Sequence, residues 1–233
     1  MLNKSKFKIP TTITFLCLEL ALGILVQLTS NNLNTAVSFS CVVLACLFCV
    51  LFFEKSNEYY LTQIGLLCTV CADIFLVVLK PMLQLPAMIF FSVTQMCYFI
   101  RLYQNQSNTF YKRLHLIFRA LATVIALCLT VVVLWEKTDA LSLVSLFYYA
   151  NLIFNIIVAF CQFKRCPVLA IGLLLFLMCD TVIGLNIMAN SYISGAKDSL
   201  IYRLLNPGFN LAWIFYVPSQ ALIAISLLKK HNE

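Results

Sequence analysis

Eight stretches of this chain, near residues 11–28, 33–53, 60–79, 83–103, 113–135, 139–162, 167–190 and 208–227, are apolar almost without interruption and are joined mostly by brief links. Each approaches the roughly 20 residues that an α-helix needs to cross a hydrocarbon core about 30 Å thick. The pattern predicts an all-α integral membrane protein, a bundle of about eight transmembrane helices. Residues 1–233 would form a single polytopic domain, because spans of that length leave no room for a second, soluble one.

Composition excludes the main rivals. Hydrophobic residues make up 62% and charged residues 11% of the chain, against roughly 45–50% and 25% in ordinary soluble domains. The formal charge of +7 would suit a nucleic-acid partner only if Lys and Arg gathered in a basic helix or patch. They stand instead at the ends of the spans, so no nucleic-acid partner is expected. Eleven cysteines would mark a disulfide scaffold in a small secreted protein. Here ten of them (Cys17, Cys41, Cys46, Cys49, Cys68, Cys71, Cys97, Cys128, Cys161 and Cys179) fall inside apolar runs, where they read as small hydrophobes. Cys46 with Cys49 and Cys68 with Cys71 have the i, i+3 spacing of two metal ligands on one helix face. Thiolates within apolar helices are costly, and no metal site is expected. Lys4, Lys6 and Lys8 before an apolar run imitate a signal peptide. Glu19 interrupts that run and no small-residue cleavage site follows, so an uncleaved first helix is expected.

Lys and Arg counts on alternate sides of the spans set an orientation. One side carries eleven, among them Lys55, Arg101, Lys112, Arg113, Lys164 and Arg165; the other carries four, Lys80, Lys137, Lys197 and Arg203. The richer side is expected to be cytoplasmic. With an even number of spans, both termini are then cytoplasmic.

An acid inside a membrane helix costs about 2.5–3.5 kcal/mol near the centre, so each one needs a reason. Asp73 and Asp180 each lie thirteen residues from the expected cytoplasmic start of their span, about 20 Å at the helical rise. The two carboxyls therefore share one depth. They either glue the bundle through hydrogen bonds or line a functional cavity. Three other helices carry polar stripes at helical spacing: Ser92, Gln95 and Tyr98; Tyr148, Asn151 and Asn155; Trp213, Tyr216 and Gln220. Tyr and Trp also serve as core packing or interface anchors. Asn and Gln facing lipid would be unsatisfied, so they are expected inside. Glu19 and Arg119 are each placed to form an ion pair, and Arg119 alternatively snorkels to the headgroups. Ala72-Asp73 and Cys179-Asp180, each ahead of a polar stripe in the next helix, hint at two four-helix halves in parallel.

These residues carry a family resemblance. Cys71-Ala72-Asp73-Ile74-Phe75-Leu76, followed by Gln95-Met96-Cys97-Tyr98, resembles the Gly-Asp-x-x-Leu and His-x-x-Tyr elements of the YhhN-like, or transmembrane lysoplasmalogenase, family. Met178-Cys179-Asp180-Thr181 is similar to that family's Ser-Asp helix, and Tyr216-Val217-Pro218-Ser219-Gln220 to its final Tyr-x-x-x-Gln helix. The motifs cover the third, fourth, seventh and eighth spans, and chain length and helix count agree over nearly the whole sequence. Ala72 stands where the family usually has Gly, Gln95 where it has His, and Cys179 where it has Ser. Phe39-Ser40-Cys41-Val42 holds no counterpart of the family's Lys-Pro pair.

The resemblance implies hydrolysis of the vinyl ether of a lysoplasmalogen, a membrane lysophospholipid, to a fatty aldehyde and a glycerophospho-alcohol. Enol ethers are cleaved by protonation at the β-carbon and capture of the oxocarbenium ion by water. One neutral carboxylic acid and one carboxylate suffice, a division of labour shared with glycosidases. Two carboxyls buried in an apolar bundle can share one proton at neutral pH. Asp73 and Asp180 are therefore the expected catalytic pair. Gln95, Tyr98, Asn151, Tyr216 and Gln220 are expected to hold substrate and water, no metal or organic cofactor is required, and the expected location is a bacterial plasma membrane. A small proton- or cation-coupled transporter or a lipid-binding receptor would use the same acids without covalent chemistry. An intramembrane aspartyl protease is disfavoured by the absence of Tyr-Asp and Gly-x-Gly-Asp signatures.

Overall fold

The structure, a computed structural model, describes residues 4–52, 56–79, 81–133, 139–192 and 208–228. Among these residues it is all α. Eight helices follow one another as α1 (Lys4–Leu28), α2 (Asn31–Phe52), α3 (Asn57–Asp73), α4 (Gln84–Asn105), α5 (Thr109–Val133), α6 (Ala140–Cys161), α7 (Pro167–Tyr192) and α8 (Leu211–Ile225). Residues 193–207, most of the link between the expected spans 167–190 and 208–227, and the charge-count residues Lys55, Lys80, Lys137, Lys197 and Arg203 lie outside the described residues.

Among the described residues, six helical segments are long and apolar enough to cross a bilayer: Ile9–Leu28, Leu33–Phe52, Asn57–Val78, Gln84–Asn105, Ala140–Cys161 and Pro167–Ile187. The stretch expected at 208–227 forms the 15-residue α8, shorter than the roughly 20 residues of a full crossing. That expected at 113–135 is the helix α5, whose first half carries Lys112, Arg113 and Arg119. Large apolar side chains such as Leu20, Leu51, Ile117 and Ile187 are exposed around the outside. A continuous apolar surface of this kind belongs against lipid or another apolar phase. The protein is an integral membrane protein.

Local chemistry sets several helix ends. Ser56 caps α3 by accepting from the Tyr59 N–H, and Asp139 caps α6 by accepting from the Ser142 N–H at 2.8 Å. Pro167 opens α7, where its missing donor costs nothing. Gly208 turns the chain toward α8 with φ of 86°, a left-handed conformation that glycine adopts without a Cβ penalty.

The most extensive packing is between α7 and α8, then between α3 and α4 and between α4 and α6; α5 lies chiefly against α6. Two glycines leave room for a neighbouring helix. A Cβ on Gly65 of α3 would stand 2.7 Å from Tyr98 Cε1 of α4, and one on Gly172 of α7 would stand 3.2 Å from the Ile223 backbone nitrogen of α8. Gly65 precedes Asp73 by the same eight residues as Gly172 precedes Asp180. Each acid-bearing helix thus meets the next helix described through a glycine at the same offset.

One clamp was not anticipated. Arg101, read from sequence as a cytoplasmic span end, is 1% exposed. Its guanidinium donates to Thr62 Oγ1 at 2.9 Å and to Ser226 Oγ and O at 2.8 and 3.0 Å, and its Nε lies 3.7 Å from Glu58. It ties α4 to the start of α3 and the end of α8.

Candidate active site

Asp73 is the last residue of α3 before a π-helical turn over Ile74–Val78, in which the Leu79 N–H reaches back to the Ile74 carbonyl at 2.9 Å. Such wider turns re-aim side chains and recur at functional sites. Asp73 is 3% exposed, and its Oδ2 accepts the Tyr216 hydroxyl of α8 at 2.7 Å. Beside Tyr216, Pro218 removes a backbone donor from α8, while the Ser219 hydroxyl donates to the Tyr216 carbonyl at 2.7 Å.

Asp180, midway along α7, is half-buried and accepts the Tyr148 hydroxyl of α6. Next to it the hydroxyls of Tyr149 and Thr181 meet at 2.8 Å. Aromatic rings join the two acid–tyrosine pairs. The Phe176 ring centroid is 5.6 Å from that of Tyr216 and 6.5 Å from that of Tyr148, and Phe91 packs 5.5 Å from Tyr148. Each tyrosine hydroxyl offers its carboxyl group a donor where water is scarce.

The other expected site residues fall elsewhere. Gln95 and Asn151 belong to a second polar network centred on Arg119. The guanidinium donates to Asn151 Oδ1 at 3.1 Å and Asn155 Oδ1 at 2.5 Å and lies 4.0 Å over the Phe99 ring. Asn155 Nδ2 in turn donates to Gln95 O and Oε1 at 2.8 and 2.9 Å. Tyr98 packs against Gly65, two turns before Asp73, and its buried hydroxyl has no hydrogen-bond partner. Gln220 is buried one turn beyond Tyr216 and donates to Ser219 Oγ at 3.2 Å.

The Glu19–Arg119 ion pair is not formed, and Arg119 does not snorkel. Arg119 is only 7% exposed and turned onto α6, whereas Glu19 is buried with neither carboxyl oxygen hydrogen-bonded. Helical rise gave both residues similar depths, but α1 packs on α2 and α8 while α5 packs on α6, so the two side chains meet different neighbours. Tyr148 heads the stripe of Asn151 and Asn155, yet nothing in sequence singled it out as the partner of Asp180.

Two acid–tyrosine pairs inside the bundle of a helical membrane protein mark a candidate functional site, since intramembrane acids are costly to keep. The family is shown by the sequence: the model of the YhhN family matches residues 33–227, and the chain belongs to that family. No curated protein and no solved structure matches it.

Proposed function

We propose that this chain is a membrane hydrolase of the lysoplasmalogenase kind, cleaving the vinyl ether of a lysoplasmalogen to a fatty aldehyde and a glycerophospho-alcohol. The observation that carries the reading is the pair of carboxyls, Asp73 on Tyr216 and Asp180 on Tyr148, joined across an aromatic wall. Membership of the YhhN family, which includes lysoplasmalogenases, agrees with it.

In this scheme one carboxylic acid gives its proton to the β-carbon of the enol ether. The double-bond electrons form the new C–H bond, and the ether oxygen shares the positive charge left on the α-carbon. The other carboxylate steadies that oxocarbenium ion and takes a proton from the attacking water. The resulting hemiacetal collapses to aldehyde and alcohol, the proton passing to the leaving oxygen. The tyrosines position the carboxyls, and Phe91 and Phe176 keep bulk water from the cation. Gln220, one turn beyond Tyr216 and with an unpartnered Oε1, would be the nearest of the remaining polar residues to hold water for the reaction.

We further propose that all eight helices are membrane-inserted with both termini cytoplasmic, from the charge asymmetry of the links. The test is release of fatty aldehyde by purified protein from a vinyl-ether lysophospholipid, with none from its saturated alkyl-ether analogue, and a slower rate in deuterium oxide. Absence of aldehyde from folded protein would favour a proton- or cation-coupled transporter or a lipid receptor using the same acids.

A further inference from the structure

We infer that Arg119, with Asn151 and Gln95, is the phosphate-recognition site for a single-chain phospholipid whose tail lies in the groove between α4 and α6. This assignment rests on the lipid-hydrolase reading for the class of ligand, but its geometry is independent of the chemistry at the aspartates.

Arg119 is a buried cation whose partners are neutral. Among the described residues its guanidinium meets amide oxygens of Asn151 and Asn155 and the face of Phe99, and no carboxylate lies within ion-pair distance. A cation in an apolar bundle without a counter-charge is costly. The donors of the two asparagine amides around it are already engaged. Asn151 Nδ2 is committed to the Phe147 carbonyl and Asn155 Nδ2 to Gln95. Gln95, fully buried, has an Nε2 with no partner. The cluster therefore holds a positive charge with no counter-charge and one buried donor, Gln95 Nε2, with nothing to donate to, which is the reverse of what a cation would need. A phosphate supplies both negative charge and several acceptor oxygens, and arginine binds it bidentately. Phe99 holds the guanidinium plane from behind.

An apolar groove of about 410 Å³ lies between α4 and α6 beside residues of this cluster, lined by Ile89, Val93 and Met96 of α4 and Leu143, Val144 and Phe147 of α6. Met96 follows Gln95 directly, and Phe147 lies one helical turn before Asn151. Along α6 the order is then groove (Leu143 to Phe147), acid (Tyr148 on Asp180), and cation (Asn151 and Asn155 on Arg119). That is the order of tail, ether bond and phosphate in a single-chain ether phospholipid. Helical rise separates Tyr148 from Asn151 and Asn155 by about 4–11 Å along the axis. The five bonds from an sn-1 ether oxygen to phosphorus reach about 6 Å when extended. A lipid with its phosphate on Arg119 would lay its ether linkage at the level of Asp180.

The experiment measures binding of a saturated 1-O-alkyl glycerophosphocholine, which the proposed chemistry cannot cleave, to the purified full chain in detergent. Failure of the hydrolase reading would leave this readout intact. The wild type should bind that lipid at least tenfold more tightly than the matching 1-O-alkylglycerol, which lacks phosphate. Inorganic phosphate and glycerophosphocholine at equal concentration should not compete. Arg119→Gln should bring the phosphate-bearing lipid down to the level of the alkylglycerol while leaving the alkylglycerol unchanged. Met96→Trp, which fills the groove, should weaken both lipids alike, and serves as the decisive variant if Arg119→Gln fails to fold. Equal wild-type affinity for the two lipids, or an unchanged ratio in Arg119→Gln, overturns the proposal. So does undiminished binding of both lipids in Met96→Trp. Competition by inorganic phosphate as strong as that by the lipid would make this a site for a soluble anion and overturn the lipid assignment.

Discussion

The Tyr216 hydroxyl donates to Asp73 at 2.7 Å, joining residues 143 positions apart in the chain. The bond fixes α8 against the end of α3 and aims the carboxyl before the π-helical turn. A hydrogen bond to a charged group contributes about 1.5–3 kcal/mol. If the proposed chemistry is right, Tyr216→Phe should therefore lower aldehyde release roughly 10–100-fold while the protein stays folded, and Tyr148→Phe should do the same through Asp180. Full turnover in both variants would show that the tyrosines do not position the acids.

The aspartates themselves should matter more. General acid and base groups typically contribute about 10²–10⁴-fold, so Asp73→Asn and Asp180→Asn should each lose that much activity in a vinyl-ether assay. Groups acting as a unit are not additive, and the double variant should fall little below the weaker single one. Multiplying losses would mean that the two carboxyls work independently.

Glycine substitutions test the packing that brings the acids together. Gly65→Ala forces a Cβ to within 2.7 Å of Tyr98, a fully buried ring with no room to swing. Overpacking of this sort costs about 1–3 kcal/mol, visible as a lower Tm in detergent. Gly172→Ala presses on the α8 backbone, so it should lose activity as well as stability because α8 carries Tyr216. Gly184 is the control, because a methyl group added there would have nothing within 4 Å: Gly184→Ala should hold or raise the Tm. Equal behaviour of all three variants would contradict the two close approaches.

Arg101→Met should destabilise the bundle by more than about 2 kcal/mol, since it removes charge-assisted bonds to Thr62 and Ser226 at once. The Glu58 partner is 28% exposed, so its share is screened and small. A chemical-unfolding midpoint unchanged from wild type would show that the clamp is not holding α3, α4 and α8 together.

The proposed orientation can be checked by cysteine labelling in a cysteine-depleted background. Positions Asn31 and Ser199 should label from outside intact cells, and Ser107 and Asn232 only after permeabilisation. Outside labelling at Asn232 would refute the expected number of crossings or their direction.

The amino-acid sequence by itself determined that the chain is an α-helical membrane protein and placed the helices nearly where they lie, because length and hydropathy are properties of each segment alone. It also marked Asp73 and Asp180, since an acid in an apolar run stands out without knowledge of any neighbour. The family was legible in the short motifs around these acids. What only the tertiary structure decided is which groups each polar side chain meets. Tyr216 serves Asp73 while Tyr148 serves Asp180; Gln95 and Asn151 join Arg119 instead of the acids; Arg101 is buried; and Glu19 stands apart from Arg119. The reason is that lipid is as apolar as the bundle interior, so hydrophobic pattern does not say which way a membrane helix faces. A polar stripe tells that a face turns inward. The rotation of each helix, set by contacts such as those at Gly65 and Gly172, chooses the partner.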